Sequence, residues 1–188
     1  SAFSVLLTYL TIQQLTKNRL VGVITSLYLA FFSIFWLYAE VIEVFALNTF
    51  FVILLLYLGV QLYNSGKRKF LFLLAFIAGL SLTNNESIIL VFPALIPLLI
   101  KHFRMISWKN IGASVLFFLI GLLPYLYLPI SASFNALPNS TYQNTLQGFF
   151  DFILRKEYGW GISSPKIYAL DQLKYYFHIL TSELKGVI

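Results

Sequence analysis

In this chain the charged residues fall almost entirely in the gaps between long apolar runs, and they alternate in sign from one gap to the next. Lys17 and Arg19, then Lys67, Arg68 and Lys69, then Lys101, Arg104 and Lys109 occupy every second gap, whereas Glu40, Glu43 and Glu86 occupy the others. A chain that crosses a bilayer repeatedly changes side at each crossing, and short Lys/Arg-rich loops stay on the cytoplasmic side. The pattern therefore predicts both the number of crossings and their direction.

Composition supports a membrane as the solvent. Of 188 residues 59% are hydrophobic and 11% charged, and the mean hydropathy is +0.81, outside the range of a soluble domain. The net charge of +6 does not point to nucleic acid, because the basic residues flank apolar runs instead of lining one polar face. With no cysteine and two isolated histidines, disulfides, thiolate chemistry and a zinc cluster are not expected. No metal and no cofactor are expected, so chemistry is left to carboxylates, amides, hydroxyls and Arg/Lys. The chain opens on Ser1 inside an apolar run, without a Met, a charged n-region or a cleavage site, and it reads as an interior piece of a longer protein.

Residues 1–16 read as the end of a membrane helix that Lys17, Asn18 and Arg19 stop on the cytoplasmic side. Residues 20–39 form an apolar stretch of about 20 residues, the length that spans ~30 Å of hydrocarbon, and it surfaces near Trp36 and Tyr38. Residues 44–63 return to the basic knot at Lys67, with Asn64, Ser65 and Gly66 as the turn. Residues 70–83 and 87–101 are shorter and are separated by Asn84, Asn85 and Glu86, which predicts a hairpin shielded by its neighbours. Pro93 and Pro97 are expected to kink its return leg. Residues 111–130 cross outward again, interrupted by Gly121 and Pro124 and stopped at Pro129. Beyond them, residues 131–148 are polar and turn-rich, and residues 149–158 and 167–185 have the spacing of interfacial amphipathic helices. The predicted fold class is all-α: a polytopic transmembrane helical bundle of about six crossings over residues 1–130, then an outer loop with amphipathic helices over residues 131–188.

The polar residues that are costly near a membrane collect on the outer side of this scheme. Glu40 and Glu43 share a helix face, Asn48 follows five residues after Glu43, Asn84, Asn85 and Glu86 sit at the hairpin tip, and Arg155, Lys156, Glu157 and Tyr158 lie in the outer segment. Burying an ionisable group in a bilayer is unfavourable by ~2.5 to 3.5 kcal/mol on insertion scales, which makes such groups functional candidates. Each also has a plainer reading. Glu40 and Glu43 can snorkel into headgroups, Asn84 and Asn85 can cap short helices, and Arg155 can anchor in headgroups or pair with Asp151 at i, i+4. The Asn85-Glu86-Ser87 and Asn139-Ser140-Thr141 strings match the glycosylation pattern, a weak signal, and the first lies too close to the bilayer to be used. The residues alone thus leave an enzyme, a transporter or lipid flippase, and a membrane scaffold open.

Four strings then occur in order. They are Trp36 with Ile42-Glu43-Val44-Phe45-Ala46-Leu47-Asn48-Thr49-Phe50-Phe51, Gly79-Leu80-Ser81-Leu82-Thr83-Asn84, Gly121-Leu122-Leu123-Pro124-Tyr125-Leu126-Tyr127-Leu128-Pro129-Ile130-Ser131, and Thr145-Leu146-Gln147-Gly148-Phe149 with Leu154-Arg155-Lys156-Glu157-Tyr158-Gly159. Together they closely resemble the polytopic protein O-mannosyltransferase family that in animals modifies IPT domains of plexins and receptor tyrosine kinases and has many bacterial relatives. The matching glutamate is Glu43, so Glu40 drops in rank. The resemblance implies a glycosyltransferase of the GT-C class, which moves a sugar from a polyprenyl-phosphate lipid to a protein or other hydroxyl acceptor on the outer or luminal face of a bacterial plasma membrane or an endoplasmic reticulum membrane.

The same resemblance implies roles and departures. The family's acidic Gly-Asp-Ser-Gly-Glu string, which supplies its catalytic carboxylate, is expected upstream of Ser1, so this segment alone is expected to be inactive. Asn85 and Glu86 stand where relatives carry an amide followed by His, and Ser140-Thr141-Tyr142 stands where they carry Trp-Gly-Asp. Arg155, Asn84 and Asn85 are the expected contacts to the donor phosphate, with Glu43, Asn48, Glu86, Glu157 and Tyr158 as supporting polar groups. A transporter is disfavoured because the cytoplasmic halves of the predicted helices carry almost no ionisable residues away from their ends.

Overall fold

A computed structural model of the chain describes residues 1–41, 44–102, 107–134, 145–154, 173–175, 177, 178 and 181. Every regular element among them is helical. The chain divides into two units, Ser1–Tyr125 and Leu126–Ile188.

The first unit starts with an antiparallel pair, α1 (Ala2–Thr16) and α2 (Arg19–Phe31). Two residues reverse the chain between them. Lys17 takes φ 58° and donates its N–H to the Gln13 carbonyl, and the Asn18 side chain then accepts from the Leu20 and Val21 N–H groups at 2.9 and 3.4 Å. A left-handed C-cap followed by an Asn N-cap satisfies backbone groups on both sides of the turn. Gly22 allows the close approach of the pair, since a Cβ there would lie 3.1 Å from the Tyr9 ring.

Residues 20–39, expected as one helix, are broken at Phe32, and α3 (Ser33–Glu40) leaves at 55° to α2. Phe31, Phe32 and Ser33 are weak helix formers. Phe32 takes an extended conformation, φ −69° and ψ 123°, and the Trp36 indole N–H donates to the Ala30 carbonyl.

α4 (Phe45–Ser65) is the centre of the unit, with α1, α5 (Arg68–Leu82) and α6 (Phe92–Ile100) packed around it. Its Phe51, Leu55 and Leu58 form one core with Leu74, Ile77 and Ala78 of α5, Ile88 of the 3-10 helix Glu86–Val91, and Leu95 of α6. Gly66 ends α4 in the left-handed region, φ 61°, with its N–H on the Leu62 carbonyl at 2.8 Å. Pro93 lies in the first turn of α6, where its missing N–H costs no helical bond, and Pro97 lies inside it. Pro93 therefore sits where the return leg changes from the 3-10 helix to α6.

α7 (Trp108–Gly121) runs parallel to α5, with Phe72 stacked on Phe117 at 5.5 Å and 7° and the Tyr125 hydroxyl donating to the Leu82 carbonyl at 2.8 Å. The two backbones touch. A Cβ built on Gly79 would collide with the Phe118 carbonyl oxygen, and one on Gly121 would collide with the Phe76 carbonyl and lie 2.7 Å from the Leu80 nitrogen.

In the second unit, α8 (Tyr127–Ser133) continues through Pro129, where the crossing over residues 111–130 was expected to stop. Pro129 is the third helical residue, still within the first turn, where an N–H has no helical acceptor to lose. α9 (Leu146–Ile153) is capped by Thr145, whose hydroxyl accepts from the Gly148 N–H at 3.0 Å.

By length and composition α4 alone can cross a bilayer, and up to three spans result if α2 with α3 and α7 with Leu123–Ser133 each count as one bent span. Among the described residues one to three spans, not six, thus meet the length and composition of a crossing. The break at Phe32, the nine residues of α6 and the break after Gly121 shorten what composition reads as continuous. Leu20, Ile24, Phe31, Leu90 and Trp108 are all largely exposed, an arrangement suited to lipid and unfavourable in water.

Candidate functional site

The contacts of the first unit sort its charges by end. Ser1 shares a cavity with Ala46 and Thr49, so α1 runs parallel to α4, and the Lys17–Asn18 turn lies at the end where α4 reaches Ser65. His102 bonds the Tyr63 carbonyl through Nε2 at 2.9 Å, which brings Lys101 to that same end, and the parallel run of α7 beside α5 brings Lys109 there. Glu40, Asn48, Asn84, Asn85 and Glu86 lie at the other end.

At this polar end two side-chain amides tie the start of α4 to the junction after α5. Asn84 donates through Nδ2 to the Val44 carbonyl at 3.2 Å, and Asn48 donates through Nδ2 to the Ser87 hydroxyl oxygen at 3.1 Å. The backbone sets up both bonds: the N–H groups of Asn84 and Asn85 both reach the Ser81 carbonyl at 3.1 Å, and Asn48 sits in the first turn of α4 with its N–H on the Val44 carbonyl. Asn85 caps the 3-10 helix, its Oδ1 accepting from the Ser87 N–H at 2.9 Å. The Asn48 Oδ1 is buried and has no hydrogen-bond partner among the described residues. An amide oxygen so placed keeps an unmet acceptor, which is unfavourable by about 1 to 3 kcal/mol until something donates to it.

Of the residues singled out from sequence, the structure gathers Asn48, Asn84, Asn85 and Glu86 around one junction, with Glu86 exposed in the first turn of the 3-10 helix. Glu43, Arg155, Glu157 and Tyr158 lie outside the described residues. Asn84 holds the backbone at Val44, the residue that follows Glu43. Ser87 and the Val44 carbonyl were missed. Ser87 figured only in a weak glycosylation pattern, and a backbone carbonyl gives no sequence signal.

Beside this junction a cavity of about 190 Å³ opens where α2 breaks, lined by Leu29, Phe32, Phe35, Tyr38, Ala46 and Thr49, among others. Tyr38 packs on Phe45 with ring centroids 4.8 Å apart, which closes α3 over the first turn of α4. The lining is mainly apolar and aromatic, and the Thr49 hydroxyl is turned back to the Phe45 carbonyl at 3.0 Å.

Comparison with known proteins places residues 1–107 in a match to the family described as the protein O-mannosyl-transferase TMEM260 N-terminal domain. The chain is 34% identical over 164 residues to protein O-mannosyl-transferase TMEM260 of Mus musculus, covering 81% of this chain and 23% of that protein. It is 32% identical over 168 residues to protein O-mannosyl-transferase tmem260 of Dictyostelium discoideum, covering 80% of this chain and 20% of that protein. The chain thus spans a fifth to a quarter of the length of these relatives. No solved structure matches it.

Proposed function

From the premise that the chain belongs to the protein O-mannosyl-transferase TMEM260 family, we propose that it is part of a GT-C-type membrane glycosyltransferase. The full-length protein transfers mannose from a polyprenyl-phosphate lipid to a hydroxyl of a protein acceptor on the outer or luminal face. In the transfer the acceptor oxygen forms a bond to the anomeric carbon, the bond from that carbon to the phosphate oxygen breaks, a base takes the acceptor's proton, and the lipid phosphate leaves with the electron pair. In this reading the base is a carboxylate of the acidic loop that the family resemblance implies.

The observation that carries this reading is the junction of Asn48, Asn84, Asn85 and Glu86 at the end of the unit opposite the basic turns. It supports a head-group site on the outer side, where polar groups meet the charge that develops on the leaving phosphate. Asn84 and Asn48 are already engaged with the protein. In this reading they fix the start of α4 and hence the backbone beside Glu43, while Arg155 takes the phosphate oxygens in pairs through its planar fork.

Arg155 tests the reading. In the full-length enzyme Arg155→Lys keeps the charge and loses the fork, so transfer from polyprenyl-phosphate mannose falls. Arg155→Ala lowers it further, by roughly ten- to a hundredfold, equivalent to about 1.5 to 3 kcal/mol for a charged hydrogen bond. Wild-type transfer rates in both variants would remove Arg155 from the site.

A further inference from the structure

The end of the first unit opposite the polar junction carries Lys17, Arg19, Lys67, Arg68, Lys69, Lys101 and Lys109, all of them exposed. Residues 1–125 contain three acidic residues, Glu40, Glu43 and Glu86, and the two that are described, Glu40 and Glu86, lie at the other end. None of the seven cations has an acidic partner at its own end among the described residues. The densest part is the turn between α4 and α5 together with the end of α6. There Gly66 lets the His102 ring approach so closely that a Cβ would meet Cε1 at 2.9 Å, and His102 Nε2 holds the Tyr63 carbonyl at 2.9 Å. The end of α6 is therefore fastened to the turn that bears Lys67, Arg68 and Lys69.

Two of these lysines lie back on aromatic rings, Lys101 with Nζ 4.0 Å from the Tyr63 ring centre and Lys69 with Nζ 5.0 Å from that of Phe70. Ammonium groups held on rings at the edge of an apolar surface sit at headgroup depth instead of extending into water. Lys67, Arg68 and Lys69 crowd the N-terminus of α5, whose first turn has no acidic residue and which has no side-chain cap, the reverse of what the helix dipole favours. A dense, fastened, uncompensated positive rim between apolar helices matches the chemistry of an acidic phospholipid, whose phosphate neutralises the cations while its chains cover the apolar flanks.

We propose that the α4–α5 turn and the end of α6 bind the headgroup of an anionic phospholipid, with Lys67, Arg68, Lys69 and Lys101 as its contacts. This site is separate from the proposed sugar-donor site, at the other end of the unit, and does not depend on the transferase reading.

The test uses the full-length protein, purified without added lipid and titrated with phosphatidylglycerol or with phosphatidylcholine of the same chains, bound lipid being counted by native mass spectrometry. Phosphatidylglycerol is expected to be retained in preference. Neutralising Lys67, Arg68 and Lys69 to Gln weakens its retention on the order of a hundredfold, at roughly a factor of five for each charge at a membrane surface. Lys101→Gln, a single change far less able to disturb folding, weakens it by about fivefold. Equal retention of the two lipids would overturn the proposal. So would an equal loss per charge from Lys17→Gln with Arg19→Gln, which would mean a diffuse charge effect, or displacement of the lipid by equimolar inorganic phosphate, which would mean a soluble anion.

Discussion

Asn84 and Asn48 look alike in the sequence and act differently in the structure. Asn84 donates to a carbonyl, which can only accept, whereas Asn48 meets a hydroxyl, which can do either. Asn84→Asp therefore replaces a donor with a charge facing a carbonyl oxygen. Asn48→Asp can still accept from the Ser87 hydroxyl. The expected order in thermal unfolding of the solubilised protein is a lower Tm for Asn84→Asp than for Asn84→Ala, the latter losing about 1 kcal/mol, with Asn48→Asp between wild type and Asn84→Asp, because one of its oxygens keeps the Ser87 hydroxyl while the other stays buried without a donor. Equal effects of the two Asp substitutions would contradict these hydrogen bonds. The sequence made both asparagines visible because a polar group beside a bilayer is costly. Their partners, 39 and 40 positions away, were not visible, because long-range pairing leaves no local pattern.

Among the elements, the α5–α7 contact depends on two glycines whose backbones leave no room for a methyl group. Gly121 was legible as an interruption of an apolar run, but not as the point where another helix touches, since that depends on Gly79, 42 positions earlier. Gly79→Ala or Gly121→Ala must part the helices at a carbonyl that cannot rotate away, so each is expected to destabilise by about 1 to 3 kcal/mol or more. Gly112 in the same helix has nothing within 4 Å of a built Cβ, and Gly112→Ala is expected to be neutral or to stabilise by up to about 1 kcal/mol. Denaturant unfolding of the three variants checks this, and equal losses at Gly79 and Gly112 would contradict the crossing. The prolines show the same limit at smaller range. Their cost was read correctly, but whether Pro93 and Pro129 fall in a first turn is set by where the preceding helix ends.

At the scale of the molecule, the alternation of charge along the chain becomes a separation in space across the first unit, with basic turns at one end and the amide junction at the other. That separation was legible because helix length and charge placement are both local properties. The crossings were less so, since a bent pair and one straight helix have nearly the same composition, and one to three spans are evident where six were expected. If the polar end faces outward, both the proposed donor site and the proposed lipid site acquire a side of the membrane. Single-cysteine labelling tests this most directly, in intact spheroplasts with a membrane-impermeant maleimide and the full-length protein otherwise cleared of cysteines; this segment contributes none. Cysteine in place of Arg68 should stay unlabelled until the membrane is permeabilised, while cysteine in place of Glu86 should label at once. Immediate labelling at the Arg68 position, or protection at Glu86, would contradict the outward-facing polar end.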